Sequence, residues 1–537
     1  MPMPPRQVNE SGAPKRSLLG SGALVGGMTM VSRVLGLVRD IVIATLFGAR
    51  PEADAFFVAF RIPNLFRRLF AEGAFSQGFV PVLAEYRARR SDAEVQALVA
   101  KVVGALGFVL TLFTVAGIVG AGWVLMVFAP GFADDPRAVI ATDMLRLTFP
   151  YLLLISLVAL AGGVLNTFGR FGVPAFTPVW LNLSLIGAAV VLPPFLEEPV
   201  MALAWGVLIA GVVQLGFQLP FLARLGMLGW PRVSFADAGV RKIGRLMLPA
   251  AFGASVGQLN LLIDTMLASL LTAGSVSWLY YADRLMELPL GIFAIALSTV
   301  LLPSLSQDHA SADAERFGRT LDAGMRLGLL LTTPAATALC VLSVPLVATL
   351  FGHGAMGEGD VRASATALQA YALGLLGFTG VKILAPGFFA RQDTRKPVQI
   401  AVIAMLCNIV LNLALIGPLA HVGLALATSL AACLNAALLL RGLSRDGVLR
   451  VVTPWTPFLA RLALACGLMA TVLWAMLPQG WFTMAMTERV LWLSLLVVIG
   501  ASTYFGVLFA TGFGPRQLRA MANPGEDTRA GSALETV

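Results

Sequence analysis

Long apolar runs separated by short polar or Gly/Pro-rich breaks fill the chain from residue 22 to residue 512. A helix needs about 20 apolar residues to cross the hydrocarbon core of a bilayer. Fourteen runs reach that length, over 22–48, 54–86, 96–129, 138–167, 174–194, 199–224, 240–271, 276–306, 318–351, 361–391, 397–417, 420–441, 455–477 and 487–512. The second, third, ninth and tenth are longer than a minimal span, which predicts tilt or extension into water. The first run is too long for the apolar stretch of a cleavable signal peptide. The predicted class is an all-α, polytopic membrane protein with about 14 transmembrane helices.

Charge placement tests count and orientation, because short inner loops are enriched in Lys and Arg. With the N-terminus inside, twenty-three of the 38 basic residues fall on inner segments. Only Arg50, Arg137, Arg362 and Arg489 fall on outer loops. An omitted span would invert the alternation after it, so an even count with both termini cytoplasmic is expected. Composition agrees: 58% of residues are hydrophobic and 12% charged, about half the charge of a soluble domain. Mean hydropathy is +0.83, so the excess is global. A soluble enzyme with one anchor, a disordered chain and a fibrous chain are excluded. The net charge of +9 is mainly a topology signal, and no nucleic-acid partner is expected. Cys340, Cys407, Cys433 and Cys466 lie in apolar runs without CxxC spacing and read as packing residues. His309, His353 and His421 are isolated near predicted helix ends and read as surface residues. No Walker A, HExxH or GxSxG pattern occurs. Movement of a cargo would therefore draw on an ion gradient, the membrane potential or the cargo's own gradient.

Eleven basic residues remain inside predicted helices: Arg33, Arg39, Arg61, Arg67, Arg68, Lys101, Arg146, Arg284, Arg326, Lys382 and Arg461. A charge at the bilayer centre costs about 2.5–3.5 kcal/mol on the insertion scale. Lys101, Arg146, Arg326, Lys382 and Arg461 are expected to snorkel to the interface. Arg33, Arg39, Arg67 and Arg284 are expected to face a hydrated cavity or a partner. On an ideal helix Asp54, Arg61 and Arg68, spaced by seven, share a face that Glu72 joins. Arg67 would point elsewhere, but Pro63 breaks the ladder and can turn it.

A later stretch echoes the first. Asp54 and Arg61 are seven apart with Pro81 twenty beyond; Ser277 and Arg284 are seven apart with Pro303 nineteen beyond. Helices one to six and seven to twelve are read as two related lobes, and transporters place cargo between such repeats. Guanidinium forks suit phosphate and carboxylate oxygens, so an anionic or pyrophosphate-bearing cargo is expected. Asp40, Asp54, Glu72, Asp283 and Glu287 could pair with the arginines when cargo is absent. The alternative is that every Arg is already neutralised and only holds helices together. A cation site is also readable: Asp264, Asn408 and Asn412 at i, i+4, Thr428, and the carbonyl of Leu424 beside Gly423. Such oxygens suit a hard monovalent cation, while Asn and Thr also serve as helix–helix glue in lipid.

The segments SRVLGLVRD (32–40), DAFFVAFRIPNLFRRLFAEGAFSQGFVPVLAEY (54–86), SVSWLYYADRLMELP (275–289), LLPSLS (301–306), LAPGFFARQDTRKPV (384–398) and AACLNA (431–436) closely resemble the MurJ (MviN) lipid II flippase family. The resemblance covers essentially residues 18–515. It implies the multidrug/oligosaccharidyl-lipid/polysaccharide exporter superfamily, a V of two pseudo-symmetric six-helix lobes, and a final helix pair forming a groove for the polyprenyl tail. The resulting division is a leader (1–21), an N-terminal lobe (22–224), a C-terminal lobe (225–445), the last two helices (446–515) and a tail (516–537). The family's cavity arginines fall on Arg33, Arg39, Arg67 and Arg284, which favours Arg67 over Arg68. Its gate-lining Asp and Ser fall on Asp54 and Ser277, and Glu72 and Glu287 also match. Some members bind sodium with ligands spaced as Asp264, Asn408, Asn412, Leu424 and Thr428, though Asn412 replaces a family Asp.

The resemblance implies a transporter and not an enzyme, in the bacterial inner membrane, acting in peptidoglycan synthesis on lipid II. Membrane lipids and proteins of cell-wall synthesis and division are the other implied partners; sodium is the only implied cofactor. The rival readings are an exporter of drugs or of another lipid-linked saccharide, and a non-transporting scaffold for cell-wall enzymes. Clustered arginines argue against a drug-cation cavity, and in-helix arginines against a scaffold.

Overall fold

The computed structural model describes residues 18–67, 75–449 and 454–514. Among these residues the regular structure is helical throughout. The helices are α1 (Leu18–Phe47), α2 (Pro51–Arg67), α3 (Phe75–Arg89), α4 (Asp92–Val119), α5 (Ala121–Phe128), α6 (Arg137–Thr167), α7 (Gly172–Val191) and α8 (Met201–Arg224). They continue as α9 (Ala238–Ser269), α10 (Ser275–Pro289), α11 (Ile295–Ala310), α12 (Ala314–Val341), α13 (Ser343–Leu350), α14 (Glu358–Phe389), α15 (Arg395–Arg445), α16 (Trp455–Ala475) and α17 (Met486–Ala510). Ten segments among the described residues are long and apolar enough to cross a bilayer.

Of the long predicted runs, the tenth is the single helix α14 and the third and ninth are broken helices. The third run is α4 and α5, divided at Gly120. The ninth is α12 and α13, divided at Leu342. In the eighth, a π-helical turn over Leu290–Ala294 joins α10 to α11. Conversely, the eleventh and twelfth runs lie within α15, which is interrupted at Ala420 (φ 48°, ψ −129°). An L-residue held there is strained by about 1–3 kcal/mol. Ala420→Gly is therefore expected to stabilise the protein by roughly 1 kcal/mol after the glycine's extra unfolded-state entropy is subtracted, read as a higher melting temperature in detergent.

Two groups of helices form. In the first, α1 packs on α7, α2 on α6, and α6 and α7 on α8. In the second, α14 packs on α15 and α12, and α9 packs on α15. Gly117 lets α4 close on α6, since a Cβ there would lie 2.2 Å from the Phe149 ring. Large apolar side chains such as Val119, Trp123, Val410 and Leu491 point outward, which suits a lipid-facing surface.

The pair α16–α17 is fastened to α12 by polar contacts. Trp455 Nε1 donates to Asp322 Oδ1 (2.9 Å) and Tyr504 OH to the Leu330 carbonyl (2.6 Å). Arg326 corrects the snorkelling expectation. It is 4% exposed, its Nε bonds Asp322 Oδ2 at 2.8 Å, and its guanidinium lies 4.5 Å from the Trp455 ring centre. Lys101 ends on Asp237 (2.5 Å), the N-cap of α9. Arg146 is exposed and pairs with Asp143. Lys382 lines a cavity of about 680 Å³ within the second group, bounded by α9, α11, α14 and α15.

Candidate functional site

Where the two helix groups meet, α1, α7, α10 and the π turn enclose a cavity of about 370 Å³. Arg33, Arg39 and Arg284 line it together with Asp40 and Glu287, leaving one positive charge in excess. Asp40 organises the cluster. Its Oδ1 accepts from Arg39 Nε (2.9 Å), Arg39 Nη2 (2.7 Å) and Tyr280 OH (2.9 Å). Its Oδ2 lies 3.3 Å from Arg284 Nε. Arg39 also donates to Asn182 Oδ1 (3.1 Å) and Tyr280 OH (3.1 Å). Asn182 in turn donates to the Ser32 carbonyl, fixing α7 to α1. Arg284 lies over the Tyr280 ring at 5.0 Å and donates to Glu287 Oε2 at 2.9 Å.

Arg39 and Arg284 are thus paired, as the neutralisation reading anticipates, but they are paired around a cavity and across two helix groups. Arg33 faces the π turn: a Cβ at Gly291 would lie 1.6 Å from its Nη1. Arg67 is not among the residues lining this cavity; its Nε bonds Asn64 within α2. Arg68 and Glu72 lie outside the described residues. A smaller cavity of about 100 Å³ adjoins, lined by Arg61, Asn64, Thr265 and Asp283, with Arg284 and Glu287 bordering both spaces. Arg61 reaches α9 through Thr265 (2.8 Å). The seven-residue step from Asp54 is the sequence signal that puts Arg61 on this face of α2.

At one end of the bundle the two groups close on each other. Asp54 of α2 is fully buried and caps the N-terminus of α10. Its Oδ2 accepts from Gly274 N (2.6 Å), and its Oδ1 from Ser277 N (2.9 Å) and Ser277 Oγ (2.6 Å). Gly274 has a φ of 95°, a conformation that glycine adopts without strain. An N-cap is ordinarily the residue that precedes the helix; here it comes from 220 residues earlier. Arg137, expected on an outer loop, is instead 5% exposed and pairs with Asp54 and Asp135. Nearby, Ala355 N donates to the Thr45 carbonyl (2.8 Å) and Tyr281 OH to the Gly48 carbonyl (3.0 Å). At the opposite end Lys242 of α9 meets Glu85 of α3 at 2.5 Å.

The five predicted cation ligands also converge. Asn412 Nδ2 donates to Asp264 Oδ1 (2.7 Å) and Asn408 Oδ1 (2.9 Å). Thr428 Oγ1 is 3.0 Å from the Leu424 carbonyl and 3.3 Å from Asp264 Oδ2. Asn408 and Thr428 border the 680 Å³ cavity. The buried Oδ1 atoms of Asn412 and Asn260 have no hydrogen-bond partner.

Known proteins with these features point one way. The profile of the family described as "Lipid II flippase MurJ" matches residues 43–495. A Vibrio cholerae serotype O1 protein named as a probable lipid II flippase MurJ is 46% identical over 515 residues, covering 94% of this chain and 98% of its own. The lipid II flippase MurJ of Burkholderia cenocepacia is 43% identical over 497 residues, covering 91% and 96%. A solved lipid II flippase MurJ in an inward closed conformation superposes with a TM-score of 0.75 at 26% identity, over 91% of this chain and all of that one. An inward-facing multidrug resistance transporter of the MATE family and MOP superfamily shares the fold, with a TM-score of 0.65 at 14% identity over 79% and 98%. The chain belongs to the MurJ lipid II flippase family.

Proposed function

We propose that this protein flips lipid II from the inner to the outer leaflet of the bacterial cytoplasmic membrane by alternating access. The observation that carries the reading is the cavity in which Asp40 joins Arg39 of α1 to Arg284 of α10. A pyrophosphate entering it offers the oxygens that Asp40 and Glu287 supply in its absence. Arg33, Arg39 and Arg284 would then hold the head group, with Arg67 and Arg68 as further contacts. Helices α1–α8 and α9–α15 act as the two lobes, and the groove beside α16–α17 takes the polyprenyl tail. The contact of Asp54 with Ser277 serves as the outer gate. The excess of basic residues on one set of loops supports cytoplasmic termini. The protein changes no covalent bond and is a transporter.

Sodium suits the Asp264 cluster. The ligands are oxygens, one of them a carboxylate, and Asn412 Oδ1 is a buried acceptor without a donor. Because Asn412 Nδ2 now bonds Asp264 and Asn408, binding requires that amide to turn. Sodium over potassium should raise the melting temperature of the purified protein, and Asp264→Asn should remove the difference. Reset of the transporter would be driven by membrane potential, with sodium bound at this cluster.

The decisive experiment is lipid II translocation in vesicles holding the purified protein, with sodium, proton and voltage gradients varied separately. Translocation above empty vesicles is expected under at least one gradient. No translocation under any of them, from folded protein, overturns the reading.

A further inference from the structure

Asp54 is a carboxylate with no access to solvent, and its three short bonds are all to the first turn of α10. Those donors are neutral. Among the described residues the one full positive charge beside it is Arg137, whose Nη1 lies 3.5 Å from Asp54 Oδ2. Arg137 is itself held from three sides. Asp135 Oδ2 lies 2.8 Å from its Nη2, Asp135 Oδ1 accepts its backbone N–H at 2.8 Å, and the buried Phe132 ring lies 4.3 Å below its guanidinium. The hairpin that carries these residues touches the second helix group as well, since Gly131 N donates to Ser269 Oγ of α9 (3.1 Å). Arg137 is therefore built into the seam at which the groups close.

We infer that Arg137 is a positioning residue of this closure, the counter-charge that lets Asp54 enter the seam as a carboxylate and cap α10. The sign of its effect follows from solvent. Attraction at a given separation is several-fold stronger in a shielded site than in water. Arg137 and Asp54 are 6% and 0% exposed in the closed arrangement, and water reaches them once the groups part. Without Arg137 the closed arrangement would bury Asp54 with no counter-charge, and breaking a buried pair from one side is costly, so Arg137 favours the closed arrangement over the open one. The inference rests on the reading of this end as a gate only for its bearing on transport; the closure itself is a structural contact.

Hydrogen–deuterium exchange on the full-length protein tests it. The amides of Gly274 and Ser277 are the groups that Asp54 protects. In Arg137→Met, peptides covering residues 272–280 should exchange at least tenfold faster than in the unmodified protein, and Arg137→Lys should restore part of the protection. In an Asp54→Asn background, adding Arg137→Met should change that exchange little, because no charge remains to be balanced. Equal acceleration in both backgrounds, or none in either, overturns the inference. Should Arg137→Met alone not fold, Arg137→Lys against the unmodified protein, and Asp54→Asn against the double variant, still give the comparison. None of these readouts uses lipid II, so a failure of the flippase reading is seen separately.

Discussion

Arg284→Ala is expected to abolish growth of a bacterium depleted of its own flippase, with the variant present at normal membrane levels. Arg284 is the side chain of α10 that faces Asp40 of α1, bonds Glu287 and borders both cavities at the junction. Removing it takes away a cargo contact and the link from α10 to Asp40 in one step. It also leaves Asp40, which is 1% exposed, with Arg39 and Tyr280 alone. Translocation in vesicles should fall by about two orders of magnitude, the effect of removing a hydrogen-bonded charged contact worth about 2–3 kcal/mol. Arg284→Lys should recover only part of it, because a compact ammonium lacks the spread, planar fork whose separate nitrogens reach Asp40 and Glu287. Full growth of Arg284→Ala would remove that residue from the site.

The largest loss of stability is expected at Arg326. Arg326→Met leaves Asp322 buried without its cation, and breaking a buried pair from one side costs about 3–5 kcal/mol. The pair is 5% exposed on each side, so screening offers little relief. Trp455 depends on the same carboxylate, and the docking of α16 should weaken with it. Thermal unfolding in detergent measures the loss. The double variant Asp322→Asn/Arg326→Met should melt closer to the unmodified protein than either single one, because no uncompensated charge is left. Single variants that melt with the unmodified protein would show that the pair contributes nothing to stability.

Much of this architecture is legible in the sequence because a bilayer imposes one requirement on every span. Apolar runs give the helices, and the arginines that cannot reach an interface point to the cavity. Pairing across the fold is less legible. Asp40 and Asp54 are visible as acids, but nothing local says that one meets Arg284 and the other caps a helix 220 residues away. Arg137 follows two aspartates in a loop pattern and reads as exposed; its burial comes from Phe132 and the closing of two helix groups. Arg326 reads as a snorkelling charge because Trp455, which covers it, is remote in the chain. Gly417-Pro418 marks the boundary between the eleventh and twelfth runs, whereas composition does not place the left-handed backbone two residues later, at Ala420. The five residues of the Asp264 cluster are legible as oxygen ligands within apolar helices, and the family resemblance adds the same spacing, which carries information on distant contacts that periodicity lacks.

The π turn at Leu290–Ala294 sets a phase. Arg284 and Ser298 are fourteen residues apart, which on an uninterrupted α-helix would bring them within about 40° of each other at 3.6 residues per turn. A π turn absorbs one surplus residue, and that single residue of slack rotates everything beyond it by about 100° relative to the unbroken helix. Arg284 and Ser298 are then about 140° apart. Accordingly, α10 turns Arg284 to the space shared with α1, while α11 turns Ser298 and Leu302 to the separate cavity beside α14 and α15. One extra residue is enough to make a single stretch of chain serve two rooms, and deleting it would swing the second half of the helix to face the first.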